Sequence, residues 1–246
     1  MPEIASPSAS TLNPAKTARQ RTDTFTSIWM MIAVAMAIAT LVAKSRMPQP
    51  LWTMIHLVTL GVLSNGIFQW SWFFARSLAR LSADDPRARR HNTIRVLIFN
   101  AFFASLFVSM WLGWMVGTVI AATGIAAVAA WHGAEMLSVL RERLASRFVV
   151  VVRYYVCSAS FFVLAALLAS FVTVTMFSPS IPEAMVAMRD RLTLAHALSG
   201  VAGWVGLTIG GTVITLGPTI LRTRMSPDAV SGGVRVLLPV SYTHLT

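Results

Sequence analysis

Cysteine and charge are both scarce in this chain. Cys157 is the single cysteine among 246 residues, which excludes a disulfide scaffold and a Cys-based zinc site. Charged residues make up 12%, about half of the ~25% usual in a soluble domain. So few charges cannot dress a water-facing surface, and an ordinary cytosolic enzyme is excluded. The 56% hydrophobic content excludes a disordered chain. Motifs for soluble chemistry are missing too: there is no Walker loop, dinucleotide fingerprint, HExxH or GxSxG. The basic segments lack interleaved aromatics, so no nucleic-acid partner is expected.

What the chain does have is long apolar runs, with a mean hydropathy of +0.68. A span needs ~20 mostly apolar residues to cross ~30 Å of hydrocarbon. Six stretches qualify, near 25–43, 51–75, 94–112, 113–139, 149–177 and 192–219. Barrel strands would be about ten residues long and alternate in polarity, a pattern not present here. The expected fold class is therefore all-α: a polytopic bundle of six transmembrane helices, residues 25–225, in contact with the lipid bilayer. Residues 1–24 are polar and rich in Ser, Thr and Pro, and read as a disordered cytoplasmic tail. The first apolar run is of full span length and lacks a small-residue cleavage site, so it is not read as a secretory signal.

The 20 Lys and Arg set the orientation. The N-terminal tail, the connection holding Arg76 to Arg95, the connection holding Arg141 to Arg153, and the segment after the sixth helix together carry 16 of them. The opposite side carries 4: Lys44, Arg46, Arg189 and Arg191. Basic loops stay in the cytoplasm, which puts the N-terminus there and makes the bacterial plasma membrane the expected location. Residues 226–246 read as a truncated tail holding the start of a seventh helix. Its last seven residues, Val240 to Thr246, resemble the translation of a sequencing adapter, so His244 receives no weight.

Ionisable groups inside spans are costly and become functional candidates. His56 is the sixth residue of the second expected helix and His196 the fifth of the sixth. Both helices run inward, so at ~1.5 Å per residue the two imidazoles share a level in the outer leaflet. Two imidazoles at one depth suit the axial positions of a heme or part of a copper site; hydrogen bonds between helices are the plainer reading. His132 and Glu135 share a face one turn apart, which fits a metal pair, a proton relay or a structural hydrogen bond. His91 lies in a basic connection and is set aside. Gly113 with Gly117 and Gly206 with Gly210 form GxxxG pairs for close helix packing. Gly61, Gly200 and Gly203 lie near the histidines and leave room for a cofactor. Trp52, Trp111 and Trp114 read as the outer aromatic belt, and Trp29, Trp70 and Trp72 as the inner one.

Three segments carry a resemblance. The second helix reads from His56 through Trp70-Ser-Trp to Arg76. The fourth and fifth contain Trp131-His132, Arg141 to Phe148, and Val152-Arg-Tyr-Tyr155. The sixth reads Leu194-Ala-His196 through Gly203-Trp204-Val-Gly206 to Thr212, then Leu216-Gly-Pro218 to Met225. Together they resemble the membrane region that precedes the cupredoxin domains in actinobacterial multicopper oxidase or copper nitrite reductase-like proteins. The His196 and Gly-Trp-Val-Gly run is also similar to heme-binding helices of the heme–copper oxidase superfamily. The resemblance covers roughly residues 50–225. It implies a heme-bearing or quinol-facing membrane module that serves copper carried in a downstream cupredoxin domain. A second histidine would be expected near Phe73 or Phe74, and neither position has one.

The leading expectation is therefore a redox-associated membrane module. It holds heme or copper through His56 and His196, with His132 as a further metal candidate, and passes electrons to an extracytoplasmic cupredoxin domain. The alternative is a cofactor-free anchor or sensor whose histidines serve packing. A transporter is disfavoured, because no span shows the paired Gly/Pro interruptions of a midplane site. The charge asymmetry makes a direct prediction. Reporter fusions at 46–50 and 179–190 should read outside and fusions at 82–92 inside; a cytoplasmic signal from 179–190 contradicts the topology.

Overall fold

A computed structural model describes residues 14–82, 85–88, 90–142, 149–178, 180 and 182–223. Among these residues it is all-helical, with no strand. Hydrocarbon offers the backbone no partner, so apolar runs of this length must satisfy their own N–H and C=O groups as helices.

The elements fall into six rods. The first is α1, Pro14–Val42. The second is continuous but changes winding twice: α2, Pro50–His56, a π-helical segment Leu57–Ser64, then α3, Asn65–Leu78. A 3₁₀ turn at Pro86–Ala88 leads into α4, Arg90–Trp111. Next come α5, Met115–Glu142, and α6, Val149–Phe177. The last rod repeats the change of winding: α7, Glu183–Leu198, a second π-helical segment Ser199–Gly206, and α8, Leu207–Ile220.

Five rods are long and apolar enough to cross a membrane; the apolar part of α1, Thr26–Val42, is shorter. Two expected boundaries move. The first helix begins at Pro14, so residues 14–24 of the expected tail are helical. Proline is preorganised for a first helical position, and neither Pro nor Gly recurs before Pro48 to stop the helix. The last rod begins at Glu183 rather than 192, and Arg189 in its second turn donates to the Thr175 carbonyl of α6. Residues 1–13 lie outside the described residues. So do 224–246, with the expected seventh helix and the adapter-like segment.

Aromatic side chains fill the core. Phe68, Phe99, Phe103, Phe107, Phe162 and Trp204 form the larger cluster, with Trp204 stacked on Phe162 at 4.7 Å. A second cluster toward the basic end joins Trp72, Met136, Val139, Tyr154 and Tyr155. Within the larger cluster, Asn65 and Asn100 exchange amide hydrogen bonds of 3.0 and 2.8 Å across α3 and α4. Trp72 is 1% exposed, so it belongs to the core rather than to the expected belt; Trp70 and Trp114 do face outward.

The glycines of the last rod sort by contact, not by motif. A Cβ on Gly203 would lie 2.5 Å from Phe161 Cβ, and one on Gly211 2.6 Å from Tyr154 Cβ. Nothing lies within 4 Å of the same position on Gly210. The face that packs on α6 therefore runs through Gly203 and Gly211, not through the GxxxG pair. Gly203→Leu should destabilise the fold in micelles by about 1–3 kcal/mol, because Phe161 Cβ has no torsion with which to withdraw. Gly210→Ala should be neutral or stabilising by up to about 1 kcal/mol. Denaturant unfolding of the two variants checks the contrast.

Candidate functional site

The histidine pair is built on the two rods that change winding. His56 ends α2, immediately before the first π-helical segment, and His196 lies three residues before the second. A π-helix is rare, and here each segment runs for 8 residues. The two segments pack on each other, and Trp204 Nε1–H of the second donates to Ser64 Oγ of the first at 3.0 Å. That junction sets the two rods side by side and brings the imidazoles together. Their ring centroids lie 6.0 Å apart with planes 12° from parallel.

Hydrogen bonding fixes both rings. His56 Nδ1 lies 2.8 Å from the Trp52 carbonyl, and His196 Nδ1 lies 2.8 Å from the Ala165 carbonyl on α6. A carbonyl only accepts, so each Nδ1 carries the proton and each Nε2 of the neutral ring keeps its lone pair. Neither Nε2 has a hydrogen-bond partner among the described residues. Trp52 stacks on His56 at 4.3 Å and holds its orientation further. This is the arrangement a metal-binding imidazole requires: one nitrogen pinned to a backbone carbonyl, the other free.

Two imidazoles are donors that suit a single ion or the axial positions of a heme. A heme would need open small-residue surface beside the pair. The expected surface is filled in part: Ala33 and Phe103 cover Gly61, and Phe161 covers Gly203. Gly200 meets only Ala165 Cβ, at 3.9 Å. Gly61 and Gly203 therefore serve close helix approach, while the position beside Gly200 is less crowded. No group of three or more His, Cys, Asp or Glu residues with metal-site geometry occurs among the described residues.

His132 lies elsewhere. Its Nε2 is 3.1 Å from Ser71 Oγ, fifteen residues along the second rod from His56. At ~1.5 Å per residue that is roughly 20 Å further along the bundle. Ser71 gives its own proton to the Ile67 carbonyl at 2.6 Å, so His132 Nε2–H is the donor to Ser71. The Nδ1 lone pair of His132 is then buried without a partner. Phe68 meets the His132 ring edge to face at 4.8 Å.

Glu135 does not pair with His132. It anchors a cluster that sequence reasoning missed. Its Oε2 accepts from Arg95 at 2.6 Å, and its Oε1 accepts from His91 Nδ1 at 2.7 Å and from Trp131 Nε1 at 2.9 Å. Arg95, expected in a basic connection, is a fully buried residue of α4. Its other terminal nitrogen donates to Asn92, and its guanidinium lies over Trp72 at 5.2 Å. The signal was present as spacing: His91 and Arg95 are four apart on α4, and Trp131 and Glu135 four apart on α5. Nearer the surface, Arg87 bridges Asp85 and Glu142. Its hydrogen bond to Asp85 holds that carboxyl below the usual carboxylate range.

Comparison with protein-family models, curated proteins and solved structures finds no match to this chain. The side chains therefore carry the functional argument. For the inner cluster they predict strong coupling. Arg95→Met strands a buried carboxylate and should cost about 3–5 kcal/mol. Arg95→Met combined with Glu135→Met removes both charges and should recover most of that loss. Unfolding measurements on the wild type, both single variants and the double variant test it.

Proposed function

We propose that this chain is an integral membrane module of six spans with a cytoplasmic N-terminus. In the outer half of the bundle it holds a copper ion between His56 Nε2 and His196 Nε2. One observation carries this reading: two imidazoles lie 6.0 Å apart in near-parallel planes, each with Nδ1 2.8 Å from a backbone carbonyl. Imidazole nitrogen is a good donor for copper, and a two-donor site suits its reduced form. When bound, copper supplies one-electron exchange between its two oxidation states.

The chain's own residues do the rest. Trp52 and Ala165 set the tautomers, the π-helical junction sets the spacing, and the aromatic core beneath the pair excludes water. The electron partner proposed is an extracytoplasmic cupredoxin-type domain. Support for that partner is the resemblance of residues 50–225 to the membrane regions of such proteins, together with the outer position of the pair.

Titration of the purified full chain with cuprous ion, against a chromophoric chelator under anaerobic conditions, tests the site. One ion should bind per chain. His56→Ala and His196→Ala should each weaken binding by about 10–100-fold or more. Hemin added to the same protein should give no bis-histidine spectrum; if it gives one that both variants abolish, the ligand is heme and copper is the wrong choice. If neither copper nor hemin binds, the pair is structural and the chain is a cofactor-free anchor or sensor.

A further inference from the structure

We propose that His91 and Glu135 form a proton-exchange site that loads from the basic end of the bundle. This inference is independent of the copper reading and rests on different side chains.

Exposure falls in steps along the cluster. The side chain of His91 is 37% exposed, that of Glu135 8% and that of Arg95 0%. Arg95 alone balances the charge of Glu135, so a proton on His91 is surplus to the ion pair. With Glu135 ionised, His91 Nδ1 donates its hydrogen to Oε1, and its Nε2 has no partner among the described residues. His91 therefore presents a basic nitrogen at the open side of the cluster and a hydrogen at the buried side.

The relay needs one proton and no other reactant. A solvent proton binds His91 Nε2. The Nδ1 proton crosses the 2.7 Å hydrogen bond to Glu135 Oε1. The products are a neutral carboxylic acid and a neutral imidazole carrying its proton on Nε2. Loading neutralises the partner of Arg95, which would ordinarily leave a costly buried cation. Here Arg95 keeps its bond to Asn92 Oδ1 at 2.9 Å and lies over two indole rings, Trp72 at 5.2 Å and Trp131 at 6.0 Å. Cation–π contacts stabilise an unpaired guanidinium.

Among the described residues, α4 brings His91 and Arg95 to Glu135, and α5 itself adds Trp131. The 3₁₀ turn brings Arg87, already held by Asp85 and Glu142. From α3 come the neutral Gln69, Ser71 and Trp72. From α6 come Tyr154 and Tyr155, the latter bonded to Thr212.

The test is infrared difference spectroscopy of the full chain in lipid nanodiscs after a rapid acid jump. The wild type should develop a protonated-carboxyl C=O band. Glu135→Asp, which keeps the charge beside Arg95, should shift that band. His91→Gln keeps a hydrogen-bond donor toward Glu135 but cannot relay a proton, and should slow the band's rise by roughly tenfold or more. A wild type without the band, a band unmoved in Glu135→Asp, or an unchanged rate in His91→Gln each overturns the proposal. The first of these needs no variant to fold.

Discussion

Inside hydrocarbon a polar group has only the protein to bond with, and this constraint organises the bundle. Asn65 and Asn100 answer each other across two helices, and Arg95 and Glu135 do the same with full charges. Serines and threonines along the rods return their hydroxyls to carbonyls a turn earlier, as Thr40, Ser105 and Thr173 do. Some atoms have no partner among the described residues: Thr26 Oγ1, Trp72 Nε1, Arg95 Nε and His132 Nδ1 are buried, while the Nε2 atoms of His56 and His196 belong to half-buried rings. An unpaired buried polar atom costs about 1–3 kcal/mol.

The two π-helical segments determine where the outer pair sits. Each follows a histidine along its rod, and the bond from Trp204 to Ser64 locks one segment against the other. Widening a helix rotates the residues on either side of the segment relative to each other. In the second rod this sends His56 toward the last rod while Asn65, Phe68 and Ser71 turn toward α4 and α5. The last rod likewise directs His196 to the pair and Trp204, Gly203 and Thr208 to the core and α6. One rod can thus serve an outer site and an inner one.

The rods themselves were legible in the sequence, because apolar run length is a direct readout of bilayer thickness. The pairing of His56 with His196 was legible from depth alone. Three things were not. The π-helical segments leave no periodic signature; the only trace is the crowding of Gly61 and Ser64 in one and Ser199, Gly200, Gly203 and Gly206 in the other. Arg95 was read as part of a basic loop, because a charge count cannot see that its partner lies 40 residues away on α5. Gly61 and Gly203 beside the histidines read as space, whereas Phe161, Ala33 and Phe103 fill it. Which side chain occupies a gap is decided by packing between rods, and a single sequence does not encode that locally.

The central claim is that the outer pair consists of two neutral imidazoles with Nδ1 protonated and Nε2 bare. Nitrogen-15 NMR of the histidine-labelled full chain in nanodiscs tests it most directly, because protonated and bare ring nitrogens resonate far apart. The account predicts that the signals lost in His56→Ala and in His196→Ala both belong to the Nδ1–H tautomer, and that cuprous ion shifts the Nε2 resonance of each. Nε2–H tautomers, or Nε2 resonances that ignore the added ion, would contradict it.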